Sequence, residues 1–259
     1  MIKSFATSLI LLSASILSVS SARAQDLFEF QVYDSDLVPK NGWEVDVHLT
    51  QIQKGTTLSE ESVLPTQGQT HIAFEITRGF AEEFELGSYL LFARRADGRL
   101  DYAGVRLRPR FKAPNSWNLP VGASLSFELG WPKTRYEADP FSLEIRPIID
   151  KSIGRWTFNL NPVLATSLRG PDAGGGFDFE PSAKVDYELE EDFLTVGLQY
   201  FGATGPLKDF LPASEQVHVL HPNVEFTLGR NTILNVGLGV GLTNAGERLL
   251  PTARLSLTY

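Results

Sequence analysis

Three arginines, Arg106, Arg108 and Arg110, stand at alternate positions in one short stretch of the chain. Alternate residues of an extended strand project from the same face, so this spacing predicts three guanidinium groups on one side of a strand. A guanidinium is a planar fork that matches a carboxylate. Carboxylates and a fourth arginine occur in neighbouring stretches, at Glu75, Glu85, Glu128, Glu144 and Arg146. The pattern predicts a set of ion pairs if the strands are neighbours.

The four histidines give little support for catalysis or metal binding. His218 and His221 are three residues apart and face opposite sides of a strand, which disfavours a shared metal ion. No histidine has a serine two positions away, as a hydrolytic Ser–His pair on a strand wall would need. His221, Asn223 and Glu225 share one face and could hold a polar ligand, although interior-filling side chains have the same pattern. We predict no catalytic residue, no metal site and no cofactor.

The stretches that carry these residues alternate apolar and polar side chains, as in Leu234, Val236 and Leu238. Segments of roughly ten such residues, with breaks that are alternately short and long, are typical of a transmembrane β-barrel. We predict an all-β fold: a single closed antiparallel barrel of about twelve strands, with short periplasmic turns and longer extracellular loops. A secreted β-sandwich is the alternative, since its strands also alternate. The predicted strands are 42–52, 70–78, one beginning at Phe84, 101–111, 119–129, 141–149, 156–166, 177–188, 193–200, 217–228, 232–242 and 250–259.

The first residues have the features of a secretory signal peptide. Lys3 precedes an apolar stretch, and Ala22-Arg23-Ala24 is a small-residue cleavage site, so residues 1–24 are predicted to be removed. Residues 25–41 are predicted to be a polar periplasmic lead-in, and residues 42–259 the barrel. No later stretch approaches the 18 or more apolar residues that a spanning helix needs.

Composition excludes several classes of function. Without Lys3 and Arg23, the chain has 21 basic and 31 acidic residues, a net charge of −10. This charge argues against nucleic acid as a partner, because phosphate binding needs clustered Lys and Arg. The chain has no cysteine, which excludes disulfides and thiolate metal sites.

In a barrel, each strand must turn one face to lipid and the other to the lumen. We predict that the fourth strand turns Tyr102 and the three arginines inward and Ala103, Val105, Leu107 and Phe111 outward. Arginine on the lipid side would cost about 2–4 kcal/mol near the midplane. Such an interior is either an ion-paired, stabilising core or a charged constriction that selects solutes. The candidate lumen-lining residues are Arg106, Arg108, Arg110, Arg146, Glu75, Glu85, Glu128, Glu144, Glu180, His221, Asn223 and Glu225.

Three stretches resemble an outer-membrane family named for meta-pathway phenol degradation. They are Val38-Pro39-Lys40-Asn41-Gly42-Trp43-Glu44-Val45, the unit from Phe74 to Gly87, and His221-Pro222-Asn223-Val224-Glu225-Phe226. The similarity spans most of the predicted mature chain. It implies an outer-membrane barrel that serves as a conduit for small organic molecules, and it brings no catalytic residues.

Three functions are open at this point. The leading one is a passive pore for small solutes, hydrophobic or aromatic ones included. The others are a lipid-modifying hydrolase and a structural or partner-binding barrel whose lumen is closed by ion pairs. The expected partners are outer-membrane lipid, a small solute, and the outer-membrane assembly machinery, which would contact the last strand ending in Tyr259.

Overall fold

The structure is a computed structural model that describes residues 26–59 and 62–259, so the predicted signal peptide lies outside it. Within these residues, antiparallel strands form one closed barrel. The strands are β1 Trp43–Gln51, β2 Thr70–Ala81, β3 Phe84–Arg94, β4 Leu100–Lys112, β5 Gly122–Pro132, β6 Phe141–Ile153, β7 Trp156–Arg169, β8 Asp178–Glu190, β9 Leu194–Ala203, β10 Val217–Thr227, β11 Thr232–Gly241 and β12 Leu249–Thr258.

Closure depends on β1, which pairs with both β2 and β12. Val45 stands opposite Ile76 on one side and Leu257 on the other. A closed sheet satisfies the backbone groups of every strand within the barrel, which a strand-built protein needs in lipid. The predicted closed antiparallel barrel is therefore confirmed, and the sandwich is excluded.

The connections differ between the two ends of the barrel. At one end, here the short-turn end, β2 is joined to β3, and β6 to β7, by two residues each. At the same end, residues 113–121 between β4 and β5 form a longer connection that contains a 3₁₀ turn at Asn115–Trp117. At the other, the long-loop end, residues 52–69 and 204–216 form the longest connections. Because β1 starts at the short-turn end, the chain enters the barrel wall from that side.

The outer face of the barrel is apolar. Phe74, Ile76 and Leu107 are 42%, 47% and 39% exposed, and similar side chains project from the other strands. Exposed apolar side chains around a closed barrel form the belt that contacts lipid, so the architecture is that of an outer-membrane barrel. No helix in the described part of the chain is long and apolar enough to cross a membrane.

The orientation predicted for Tyr102 and Ala103 is wrong. Ala103 is completely buried and Tyr102 is 44% exposed, the reverse of the expectation. The cause is a β-bulge: Leu91 pairs with Gly104 and Phe92 with Tyr102, which leaves Ala103 without a partner in β3. Gly104 has a φ of 149°, which favours glycine. The inserted residue reverses the inward and outward faces of β4 on its N-terminal side, whereas Arg106, Arg108 and Arg110, on its C-terminal side, remain inward.

Candidate functional site

Residues 26–39, here the inner segment, run through the barrel interior from the long-loop half to the short-turn end. Side chains of the wall receive its backbone: Val32 N–H donates to Gln199 Oε1 at 2.9 Å, and Tyr33 N–H donates to Asn161 Oδ1 at 2.8 Å. An extended segment outside the sheet needs such acceptors when buried. The structure therefore corrects the predicted periplasmic position of this lead-in.

Apolar side chains of the inner segment fill the long-loop half of the lumen. Leu27, Phe30 and Val32 join one buried cluster with wall residues that include Phe201 and Leu250. Phe28 joins a second cluster on the opposite wall, with Tyr89, Leu91 and Ala103. The segment therefore packs against both walls in this half of the lumen.

Ion pairs occupy the centre of the lumen. Arg106 pairs with Glu128 at 3.1 Å, Arg110 with Glu85 at 2.8 Å and Arg146 with Glu144 at 2.9 Å. Arg108 pairs with Glu75, which also accepts a hydrogen bond from Thr77 Oγ1 at 2.7 Å. The structure thus brings each of the four predicted arginines to a predicted carboxylate. The carboxylate lies on the same strand for Arg146, on an adjacent strand for Arg106 and Arg110, and two strands away for Arg108.

The inner segment adds charges to this network. Arg106 holds Asp26 through two hydrogen bonds, one of them 3.0 Å long. Burial raises the pKa of the Asp26 carboxyl, but the charge and hydrogen bonds of Arg106 outweigh burial, and the pKa lies below its ordinary value of 3.8. Asp26 is therefore ionised at neutral pH and anchors the start of the segment.

Tyr33 lies at the centre of the arginines. The guanidinium carbon of Arg108 is 4.3 Å from its ring centroid, and those of Arg110 and Arg146 are 5.4 Å away. Burial raises the pKa of Tyr33 well above 10.0, so the phenol stays neutral. Its O–H donates to Glu29 of the same segment. Cation–π attraction and this hydrogen bond hold the middle of the inner segment.

A polar cavity of about 230 Å³ remains between the inner segment and the wall. It lies towards the short-turn end, beside the strands from β8 to β12 and β1. Charged side chains line it in pairs: Lys184 with Asp186 at 2.9 Å and Arg254 with Glu225 at 3.3 Å. The cavity has ample volume for several water molecules, since one needs roughly 10–15 Å³ of this kind of volume.

The remaining candidates do not pair with Arg106, Arg108, Arg110 or Arg146 in any of the ion pairs described above. His221 is 1% exposed, and its Nε2 lies 2.7 Å from Thr252 Oγ1, next to Phe30. Asn223 and Glu225 both contact Asn235 and border the cavity. Glu180 is half-buried in β8. These residues share the interior, but they do not form a single site.

Sequence reasoning missed the contribution of the inner segment, chiefly Asp26, Glu29 and Tyr33. One signal was available: Phe28, Phe30 and Val32 alternate with polar residues directly after the predicted cleavage site. Such apolar residues are costly to leave in water, and their alternation indicates that one side of the segment is buried.

No protein-family model and no curated protein sequence matches this chain. Solved structures with the same fold include an outer-membrane channel from Pseudomonas putida F1, with a TM-score of 0.56 and 11% identity over 89% of this chain and 100% of that one. The KdgM porin, solved with disordered oligogalacturonate, has a TM-score of 0.52 and 11% identity over 83% and 98% of the two chains. The NanC porin has a TM-score of 0.53 and 6% identity over 84% and 98%. The chain therefore has the fold of outer-membrane porins and channels.

Proposed function

We propose that this protein is an outer-membrane pore through which small solutes pass passively. The observation that carries the proposal is the polar cavity of about 230 Å³ inside a closed barrel. A polar cavity large enough for water beside the inner segment provides part of a path across the membrane. The apolar clusters at the long-loop half are the barrier, so passage requires Leu27, Phe28 and Phe30 to move from the wall.

Small hydrophobic or aromatic molecules fit this barrier best. A solute that displaces Phe28 or Phe30 meets rings and aliphatic walls, which favour apolar surface over water. The resemblance to the family named for meta-pathway phenol degradation supports the same class of solute, and membership of that family is part of this proposal. An acidic oligosaccharide, such as the one solved with the KdgM porin, fits less well because acids outnumber bases around the cavity.

A structural barrel with a closed lumen is the second candidate. The ion pairs and the two apolar clusters on the inner segment favour it, because together they fill much of the interior. A lipid hydrolase has less support. His221, its candidate residue, lies inside the barrel away from lipid, so we propose that the protein has no enzymatic activity.

Aromatic truncation distinguishes the pore from the closed barrel. Replacing Phe28 and Phe30 by Ala together should open the long-loop half and raise single-channel conductance several-fold in planar bilayers. The same change at Phe74 and Phe92, a contacting pair with ring centroids 6.0 Å apart on the outer face, is the matched control. The control should leave conductance unchanged.

Liposome swelling with phenol-sized aromatics tests the solute class in the same variants. If the wild type and the Phe28→Ala/Phe30→Ala variant are both folded and neither conducts nor admits solute, the closed structural barrel is the better account. Heat-modifiable gel migration shows whether each variant is folded.

We also propose that the assembly machinery recognises the last strand through Tyr259, which is 71% exposed at the short-turn end. Its N–H donates to the Trp43 carbonyl oxygen at 2.8 Å, so the end of the chain lies at the seam between β12 and β1. Deleting Tyr259 should lower the amount of folded protein in the membrane, whereas folding in detergent should change little.

A further inference from the structure

Three potential metal ligands meet where the inner segment touches β1 and β2. Glu29, His48 and Glu75 each offer a donor atom, and these atoms all lie within 4.8 Å of one another. The three residues are 4%, 3% and 2% exposed. We propose that they bind one divalent first-row transition-metal ion, of which Zn²⁺ is the representative, and that the ion ties the inner segment to the barrel wall.

The imidazole of His48 is the first argument. Its Nε2 is buried, has no hydrogen-bond partner, and lies 3.6 Å from Glu75 Oε2. A buried nitrogen without a partner is costly. In the tautomer with the proton on Nδ1, Nε2 carries a lone pair that can bind a metal ion.

The carboxylates are arranged to leave room for an ion. Glu75 uses Oε1 for Arg108 and Thr77, so Oε2 is the oxygen that faces His48. Phenols orient Glu29: the Tyr33 O–H donates to its Oε1, and the Tyr89 O–H donates at 3.3 Å. Partners that fix the orientation of ligating side chains are typical of metal sites.

Charge favours a cation here. Three buried carboxylates, Glu29, Glu75 and Glu85, share two guanidinium groups, those of Arg108 and Arg110. Arg110 and Arg108 pair closely with Glu85 and Glu75, while Glu29 Oε1 lies 4.0 Å from Arg108 Nη1, at the limit of an ion pair. With His48 neutral, this leaves an excess of buried negative charge, which is unfavourable unless it is neutralised, and a bound cation would neutralise it.

Ligand type and spacing select the ion. One imidazole nitrogen with two carboxylate oxygens suits Zn²⁺ and its neighbours better than Mg²⁺ or Ca²⁺, which prefer oxygen ligands. Ligand atoms of a tetrahedral zinc site lie roughly 3.3–3.5 Å apart, given bonds of about 2.0–2.1 Å. The separation between His48 and Glu75 is close to this already. Glu29 lies outside the sheet and can move the remaining distance with the segment.

The test is metal binding by the full protein, folded in detergent and freed of metal with EDTA. Titration with ZnCl₂ should give one site per chain by calorimetry, and CoCl₂ should give the visible absorption of a site with nitrogen and oxygen ligands. MgCl₂ should not compete at equal concentration. Glu29→Gln and His48→Gln should each weaken zinc binding by at least about 10-fold, because loss of a mere supporting partner already costs about 10–100-fold.

His71→Gln is the matched control. His71 is equally buried, at 2% exposed, but its Nε2 contacts Gln69 and it lies against Phe28. Zinc affinity should be unchanged in this variant. If His48→Gln fails to fold, Glu29→Gln decides the question, because Glu29 contributes nothing to the sheet.

Absence of stoichiometric zinc binding would overturn the proposal, and so would binding that both ligand variants retain. Neither result bears on the pore, which conductance measures separately.

Discussion

At the scale of single residues, the strongest constraint is the pair of Arg108 and Glu75. Replacing Arg108 with Leu leaves the Glu75 carboxylate 2% exposed and without its closest cation. Removing one partner of a buried ion pair costs about 3–5 kcal/mol, so the free energy of unfolding should fall by that amount in denaturant titrations. Adding Glu75→Gln should recover part of the loss. If the double variant is as unstable as the sum of the single ones, the two residues are not coupled.

Leu107, next to Arg108 in the chain, tests the lipid-facing side of β4. Leu107 is 39% exposed on the lipid side, next to an arginine that is 4% exposed. Leu107→Arg should make folding into a bilayer less favourable by about 2–4 kcal/mol, because a charge on the lipid face near the midplane is unfavourable. The measurement is folding yield into lipid vesicles by gel migration. A yield equal to that of the wild type, together with normal folding of Arg108→Leu, would mean that the register of β4 is shifted by one residue.

Residue-level prediction succeeded where alternation alone decides the face. Arg106, Arg108 and Arg110 had to point inward together, and their carboxylate partners came from alternating positions of nearby strands. Tyr102 failed because a bulge adds a residue to one strand, and the only sequence trace of the bulge is Gly104. Glycine serves many purposes in strands, so this trace could not be interpreted without the pairing partner.

At the scale of elements, the strands were predictable and the inner segment was not. Each strand repeats a period of two over about ten residues, and small errors at the ends do not change its faces. The inner segment has no ladder partner within the sheet, and its position depends on side chains of distant strands, such as Gln199 and Asn161. The alternation of Phe28, Phe30 and Val32 indicates that one side of the segment is buried, but contacts across more than 120 residues leave no local pattern that predicts where.

The stabilisation that Asp26 gives to the start of the inner segment should be lost in acid. Arg106 holds the pKa of Asp26 below 3.8 in the folded protein, so the unfolded chain binds this proton more readily. The stabilisation is therefore complete above the ordinary value of 3.8 and is lost as the pH falls through the lower folded-state pKa. The measurable quantity is the difference in free energy of unfolding between the wild type and Asp26→Asn.

That difference should stay constant from pH 7 to about pH 5 and shrink below about pH 4, where Asp26 of the wild type becomes neutral like the asparagine of the variant. Comparing the two proteins at each pH cancels the titration of the other carboxylates. A difference that disappears between pH 7 and pH 6 would contradict the pairing of Asp26 with Arg106.

At the scale of the whole molecule, the sequence predicted a closed barrel but did not predict how far its lumen is filled. Closure follows from alternation, export and the requirement that lipid leaves no backbone group unpaired. The free volume of the lumen depends on how the inner segment packs, and that is a property of the folded interior alone. The same barrel with residues 26–39 elsewhere would have a much wider lumen.

The charge around the cavity makes a final prediction about ion preference. Its lining contains seven acids, Asp34, Asp36, Glu44, Asp46, Glu75, Asp186 and Glu225, and four bases, Arg108, Arg110, Lys184 and Arg254. An excess of fixed negative charge in a narrow passage raises the local concentration of cations. The open-pore Phe28→Ala/Phe30→Ala variant should therefore show a cation-selective reversal potential in a KCl gradient, and the selectivity should weaken at high salt as the charges are screened.

Neutralising Asp186 and Glu225 together, as Asp186→Asn and Glu225→Gln in that background, removes two acids. Lys184 then loses its partner, and Arg254 keeps only Asp46, at 3.6 Å. The reversal potential should then shift towards anions. Glu190→Gln and Glu191→Gln together, an equal change of charge at two exposed residues, should leave it unchanged. An equal shift in both variants would mean that the net charge of the whole molecule, rather than the cavity lining, sets the selectivity. An anion preference in the Phe28→Ala/Phe30→Ala variant itself would place the conducting path elsewhere in the lumen.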